Sequence, residues 1–135
     1  MYNNILIPVA FDEGKTVGAA LDVAKALSAK GAQITFLHVF EDIPNFAVSY
    51  VPTDYLKEAR TAIQAELDNL ADGLPNARGL LVEGHASRTI IDVAEREGAD
   101  CIVVASHRPG MQDFLIGSTA AQVVRHAKCA VHVLR

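Results

Sequence analysis

Five short apolar runs alternate with four stretches of helical period along this chain, and that alternation constrains the fold more than any other feature. NILIPVA (4–10) is rich in branched apolar residues and predicts a strand buried on both faces. KTVGAALDVAKALSAKG follows, with Val17, Leu21, Ala24 and Leu27 on one helical face and Gly31 as the expected C-cap. QITFLHVF (33–40) predicts the second strand. Beyond a loop holding Pro44 and Pro52, Leu56, Ala59, Ile63, Leu67 and Leu70 step by 3, 4, 4 and 3 residues. That stripe predicts a long helix from about Thr53 to Asp72, stopped by Gly73 and Pro75. ARGLLVEG (77–84) predicts a third strand, weakened by Gly79, and SRTIIDVAEREG a short helix ending at Gly98. DCIVVAS (100–106), STAAQVVRHAK and CAVHVLR complete the series as strand, helix and strand. Strict alternation implies an α/β fold, a five-stranded parallel sheet with helices on both faces. The expected strand order is 3-2-1-4-5. No repeat, low-complexity tract or linker interrupts the pattern, so residues 1–135 are expected to form one domain.

Composition narrows the function classes. Of the 135 residues, 50% are hydrophobic and 21% charged, as in a folded globular protein. No apolar run approaches the roughly 20 residues of a membrane-spanning helix. The opening MYNNILIPVA lacks the basic region and small-residue cleavage site of a secretory signal, so the cytoplasm is the expected location. Cys101 and Cys129 show no CxxC spacing and are expected as two thiols at strand starts. A formal net charge of −4 argues against nucleic-acid binding. Within residues 101–135, however, Arg108, Arg125, Lys128 and Arg135 face Asp113 alone. That positive stretch suits a small polyanion better than a nucleic-acid strand.

The same stretch contains ASHRPGMQDFLIGST (105–119). In a doubly wound sheet of the expected order, ligands sit where the strand order reverses, between strands one and four. PVAFDE (8–13) would then lie beside ASHRPG (105–110), with Ser118 and Thr119 opening the next helix. A helix N-terminus offers unpaired N–H groups and partial positive charge to phosphate oxygens. Gly117 would allow close approach, the two hydroxyls would add hydrogen bonds, and Arg108 would supply a fork of donors. Each part also has a plain structural reading: Ser118 is a good N-cap, and His107 and Arg108 suit a solvated loop. The Walker pattern GxxxxGK[ST] is absent, and no GxGxxG follows the first strand. Any phosphate loop therefore follows strand four. His38 reads as a hydrogen-bonded interior or strand-end histidine, His85 as a cap or a ligand contact near the crevice. His126 and His132 lack metal-pair spacing, and no metal site is assigned.

IVVASHRPGMQDFLIGSTAAQVVRHAKCAVHVLR resembles the C-terminal signature of the universal stress protein family, while NNILIPVA and TFLHVF resemble its first two strands. The wording SHRP…LIGS…VVRHA is closest to short bacterial members. Many members bind ATP through G-x-x-G, nine residues, then G-[ST]. Gly117 and Ser118 match the closing pair, but Ala105 and Arg108 occupy the two opening glycine positions and the loop is one residue shorter. Pro8 and Val9 match the first strand's end, where Ala10 replaces the usual aspartate and removes a polar partner near the adenosine. Val39 matches a residue lining the adenine pocket, Val104 fits the same apolar role, and Ala120 stands where a hydroxyl is common.

The resemblance thus implies an adenine-nucleotide site (ATP, ADP or AMP, with Mg2+ as the accompanying cation) built from Pro8, Val9, Ala10, Val39, Val104, Ala105, Ser106, His107, Arg108, Gly110, Gly117, Ser118 and Thr119. It also implies a homodimer through the uncovered last strand (129–135), serving an unidentified regulatory partner. Three readings remain open at this point. One is a nucleotide-binding stress-response regulator, without catalytic residues. The others are a dimeric interaction module with a degenerate pocket and a slow ATPase.

Overall fold

The computed structural model describes residues 1–11, 14–41, 50, 52–106 and 116–135. Its elements are β1 (Tyr2–Pro8), α1 (Gly14–Leu27), β2 (Ser28–Phe40), α2 (Thr53–Ala71), β3 (Ala77–Glu83), α3 (Ala86–Glu97), β4 (Cys101–Ala105), α4 (Ser118–His126) and β5 (Ala130–Leu134). The strands form one parallel sheet of order β3-β2-β1-β4-β5, the order expected from the alternation.

Side chains of β1 point alternately to two cores. Ile5 and Ile7 join Ala24 of α1, Phe36 of β2 and Leu67 of α2 on one face. Leu6 joins Leu37, Ile90 and Val93 of α3, and Val123 of α4 on the other. The stripe foreseen in α2 packs on the first core through Ile63, Leu67 and Leu70. No helix among the described residues is long and apolar enough to cross a membrane.

The sheet opens at the carboxyl end of its centre. β1 stays in register with β2 from Asn4↔Gln33 to Pro8↔Leu37, and the Val9 N–H continues that ladder to the Leu37 carbonyl at 2.7 Å. Against β4 it pairs only at Ile5↔Cys101 and Leu6↔Ile102. Backbone edges alternate along a strand, so a Val9 N–H aimed at β2 turns the neighbouring Pro8 edge toward β4. Proline has no N–H to give. β4 meanwhile follows β5, where the Ser106 N–H reaches the Leu134 carbonyl at 2.8 Å. The centre of the sheet divides there.

The opposite end is closed. Asp100 accepts the N–H groups of Asn3 and Asn4 at 2.8 and 2.9 Å, and the Asn4 amide donates to the Glu97 carbonyl at 2.7 Å. Arg78 reaches Glu97 at 2.8 Å, and its hydrogen bond and charge hold that carboxyl below its ordinary value. Cys101 starts β4 and Cys129 directly precedes β5; both are free thiols. Burial first, then the neighbouring Cys129 and Asp100, push the Cys101 thiol up to about 11. It stays protonated at neutral pH and serves as core packing.

Two sequence expectations need correction here. β1 begins at Tyr2 rather than residue 4, because its start pairs with an early part of β2, Tyr2↔Ser28. Gly31 is not the C-cap of α1. That helix ends at Leu27, where Ser28 Oγ donates back to the Ala24 carbonyl at 2.6 Å. Gly31, at φ +77°, instead lies within the irregular first part of β2. Gly98 is the αL C-cap of α3, with φ 72°.

Gly79 lies inside β3 and makes room there for α2. A Cβ there would fall 2.5 Å from the Leu67 Cβ and 2.9 Å from the Leu67 backbone carbon. Gly79→Ala is expected to destabilise the protein by about 1–3 kcal/mol through forced displacement of α2, measured by urea unfolding.

Candidate functional site

A cavity of about 340 Å³ lies in the opening between β1 and β4. Pro8, Val9 and Ala10 form one wall, and Val104, Ala105 and Ser106 the facing one. Val39 borders it from β2, while Gly117, Ser118 and Thr119 close it from the start of α4. Ten of the residues expected from the sequence therefore meet at one cavity. His107, Arg108 and Gly110 lie outside the described residues.

The walls are fixed by hydrogen bonds to their backbone groups. The Gly117 N–H donates to the Ser106 carbonyl, tying the end of β4 to the start of α4. On the other wall, His38 Nδ1 lies 2.7 Å from the Val9 carbonyl. A carbonyl only accepts, so Nδ1 carries the proton. The same ring packs against Phe11, with centroids 5.2 Å apart. His38 is hydrogen-bonded, as expected, but half-buried near the end of β2, where it anchors the turn after β1.

The cavity is chemically two-ended. Leu37, Val39, Ile90 and Val104 make one part apolar. At the other part α4 begins. Its N-cap is Gly117 and not Ser118, which occupies the first helical position. No side chain caps this end, and the first intrahelical bond runs from Ala121 to the Gly117 carbonyl. The N–H groups of Ser118, Thr119 and Ala120 consequently have no partner within the helix. The first turn carries no acidic residue, whereas Arg125 and His126 sit in the last. Positive potential is left at the cavity end.

Sequence reasoning missed Glu41, Ala86 and Ile90 as lining residues. Glu41 lies just past β2, and the other two belong to α3, which starts beside the cavity. Gly84 before α3, with φ +148° and its N–H bonded to the Phe40 carbonyl, was the available signal for that approach. Ala120 is buried and lines the cavity floor. His85 is the N-cap residue of α3 without a side-chain capping bond, and its Nδ1 lies 3.3 Å from Ser87 Oγ. It borders a second hollow of about 620 Å³ between α3 and α4. Among the described residues, no group of three His, Cys, Asp or Glu side chains is placed to hold a metal ion.

A parallel sheet of this order, split at its centre over an uncapped helix start, defines a doubly wound α/β protein with its cleft at the topological switch point. The chain belongs to the universal stress protein family, whose profile matches residues 1–135. It is 31% identical over 140 residues to the "universal stress protein in QAH/OAS sulfhydrylase 3'region" of Thermus aquaticus, covering all of both chains. It is 28% identical to the solved universal stress protein UspA from Lactobacillus plantarum, with a TM-score of 0.74 over 99% of this chain and 98% of that one. It shares its fold with a universal stress protein solved in complex with cAMP, at 19% identity and TM-score 0.72 over 99% and 97% of the two chains.

Because Gly117 rather than Ser118 is the N-cap, Ser118→Ala is expected to change stability by less than about 0.5 kcal/mol. Loss of a genuine capping hydroxyl would cost about 1 kcal/mol. Thermal unfolding of the unliganded protein distinguishes the two.

Proposed function

We propose that this chain is a stress-response regulatory protein that binds an adenine nucleotide in the cavity between β1 and β4. One observation carries the reading: an apolar slot and the uncapped start of α4 belong to the same cavity. The base lies against Val39 and Val104, and the phosphates meet the free N–H groups and hydroxyls of Ser118 and Thr119. Pro8, Val9, Ala10, Ala105 and Ser106 supply the walls. The family resemblance adds His107, Arg108 and Gly110, with ATP as the reference ligand and Mg2+ as its cation. The family's solved cAMP complex supports adenine as the base.

Titration calorimetry with ATP and ADP tests this directly. Ser118→Ala is expected to weaken binding by about 0.5–1.5 kcal/mol, the worth of one hydrogen bond. Gly117→Val is expected to weaken it more, because its bulk enters where backbone meets phosphate. The Gly117 φ of −60° lies in a region open to valine, and thermal unfolding of the variant checks that it folds. Parent-like affinity in both variants would sink the assignment.

The same reading includes a homodimer through β5, which pairs with β4 and has no second strand beside it among the described residues. The Leu134 carbonyl accepts from Ser106, so Leu134 faces β4 and alternation turns the backbone of Val131 and Val133 outward. Val133→Pro removes an outward donor while sparing the β4 ladder. Sedimentation velocity is expected to show a dimer for the parent and a monomer for the variant. A monomeric parent would refute it.

A further inference from the structure

The second hollow adjoins the proposed nucleotide cavity, and the two share Glu41, Ala86, Ser118 and Thr119. Ala86 and Ser118 are the first residues of α3 and α4, so the ridge between the hollows carries two helix starts. Neither start has a side-chain cap. A ligand crossing the ridge passes over two sets of free N–H groups and the Glu41 carboxylate, which together suit bridging phosphates that carry a divalent cation.

The lining beyond the ridge is of another kind. Helical periodicity brings Arg88, Ile91 and Asp92 onto one face of α3, and Gln122 and His126 onto the facing side of α4. Neither Arg88 nor Asp92 is in a salt bridge among the described residues. A subsite for phosphate alone would present cations, and the Asp92 carboxylate opposes that. Guanidinium, carboxylate and primary amide together instead offer donors and acceptors to a neutral polar group, and Ile91 offers an apolar contact. The volume, about 620 Å³, lies within the range of small-molecule sites.

Building on the nucleotide reading above, we propose that the second hollow is a subsite for a second nucleoside, which makes dinucleoside polyphosphates the preferred ligand class. One nucleoside occupies the apolar cavity, the phosphates cross the paired helix starts, and the second nucleoside lies between α3 and α4. There its amino and hydroxyl groups donate to Asp92, and its ring nitrogens and oxygens accept from Arg88 and Gln122.

The test is calorimetry with three probes at one Mg2+ concentration: ATP, adenosine 5′-tetraphosphate and diadenosine tetraphosphate. The diadenosine compound is expected to bind about ten-fold tighter than either mononucleotide, a difference of about 1.4 kcal/mol. Arg88→Ala, Asp92→Asn and Gln122→Ala, all at exposed positions, are expected to erase that gain while leaving ATP affinity within about two-fold. Equal affinity for adenosine tetraphosphate and the diadenosine compound overturns the subsite, since the hollow would then receive phosphate or nothing. Equal affinity for all three also overturns it while leaving the nucleotide site standing. Failure of all three to bind overturns both readings.

Discussion

The architecture depends on β1 being hydrogen-bonded along both edges and buried on both faces. A strand in that position has no solvent side, which is why Ile5, Leu6 and Ile7 are all apolar and fully enclosed. Their alternation sends Ile5 and Ile7 to one core and Leu6 to the other, so this short segment joins the two layers of helices. The same strand creates the opening. Once Pro8 withholds a donor on the β4 side, the sheet follows two separate pairings, β1 with β2 and β4 with β5.

Chain order then decides what surrounds the cleft. The connections β1–β2 and β2–β3 run outward from the centre and place α1 and α2 against the core of Ile5 and Phe36. The connection β3–β4 returns across the sheet to the other side of β1, and β4–β5 continues outward. Right-handed crossovers travelling in that sense put α3 and α4 together on the opposite face. Their starts, Ala86 and Ser118, both belong at the carboxyl end of the sheet, and both border the cleft. The reversal of direction at β1 thus produces the cavity, its floor and the neighbouring hollow. Dense packing on the far face supports it: Gly79 lets α2 approach so closely that a single methyl group would displace it.

Much of this was legible in the sequence because periodicity is a local signal. The run around Ile5, the stripe through Leu67 and the apolar stretch from Cys101 to Val104 each identify their element without reference to the rest. The expected strand order alone sets the segment from Pro8 beside the segment from Ala105, and Pro8 and Ala105 do border one cavity. Boundaries were less legible. Ser118 is a good N-cap by type, yet the backbone turns helical one residue earlier than that role requires, leaving Gly117 as cap. Gly31 has the left-handed φ of a helix terminator but serves an irregular strand start. Glu41, Ala86 and Ile90 were missed because Gly84, the turn that brings α3 to the end of β2, marks a close approach without specifying which residues it delivers. No spacing in the chain relates the end of β2 to the first turn of α3.

The departures from the family pattern also have a physical reading. Ala10 lacks the carboxylate that the resemblance leads one to expect, but the wall it belongs to does not depend on a side chain there. That wall is held by the Val9 N–H on Leu37 and by His38 on the Val9 carbonyl, two bonds indifferent to residue 10. A backbone-built wall tolerates aspartate-to-alanine exchange while its charge changes. Among the described lining residues of the first cavity, Glu41 is then the sole carboxylate, and it stands on the ridge where phosphates would pass. An acid in that position repels a bare polyphosphate and favours one that carries a divalent cation. Among the described residues, the apolar part of the cavity is therefore free of charged side chains, and the one carboxylate lies where the two hollows meet.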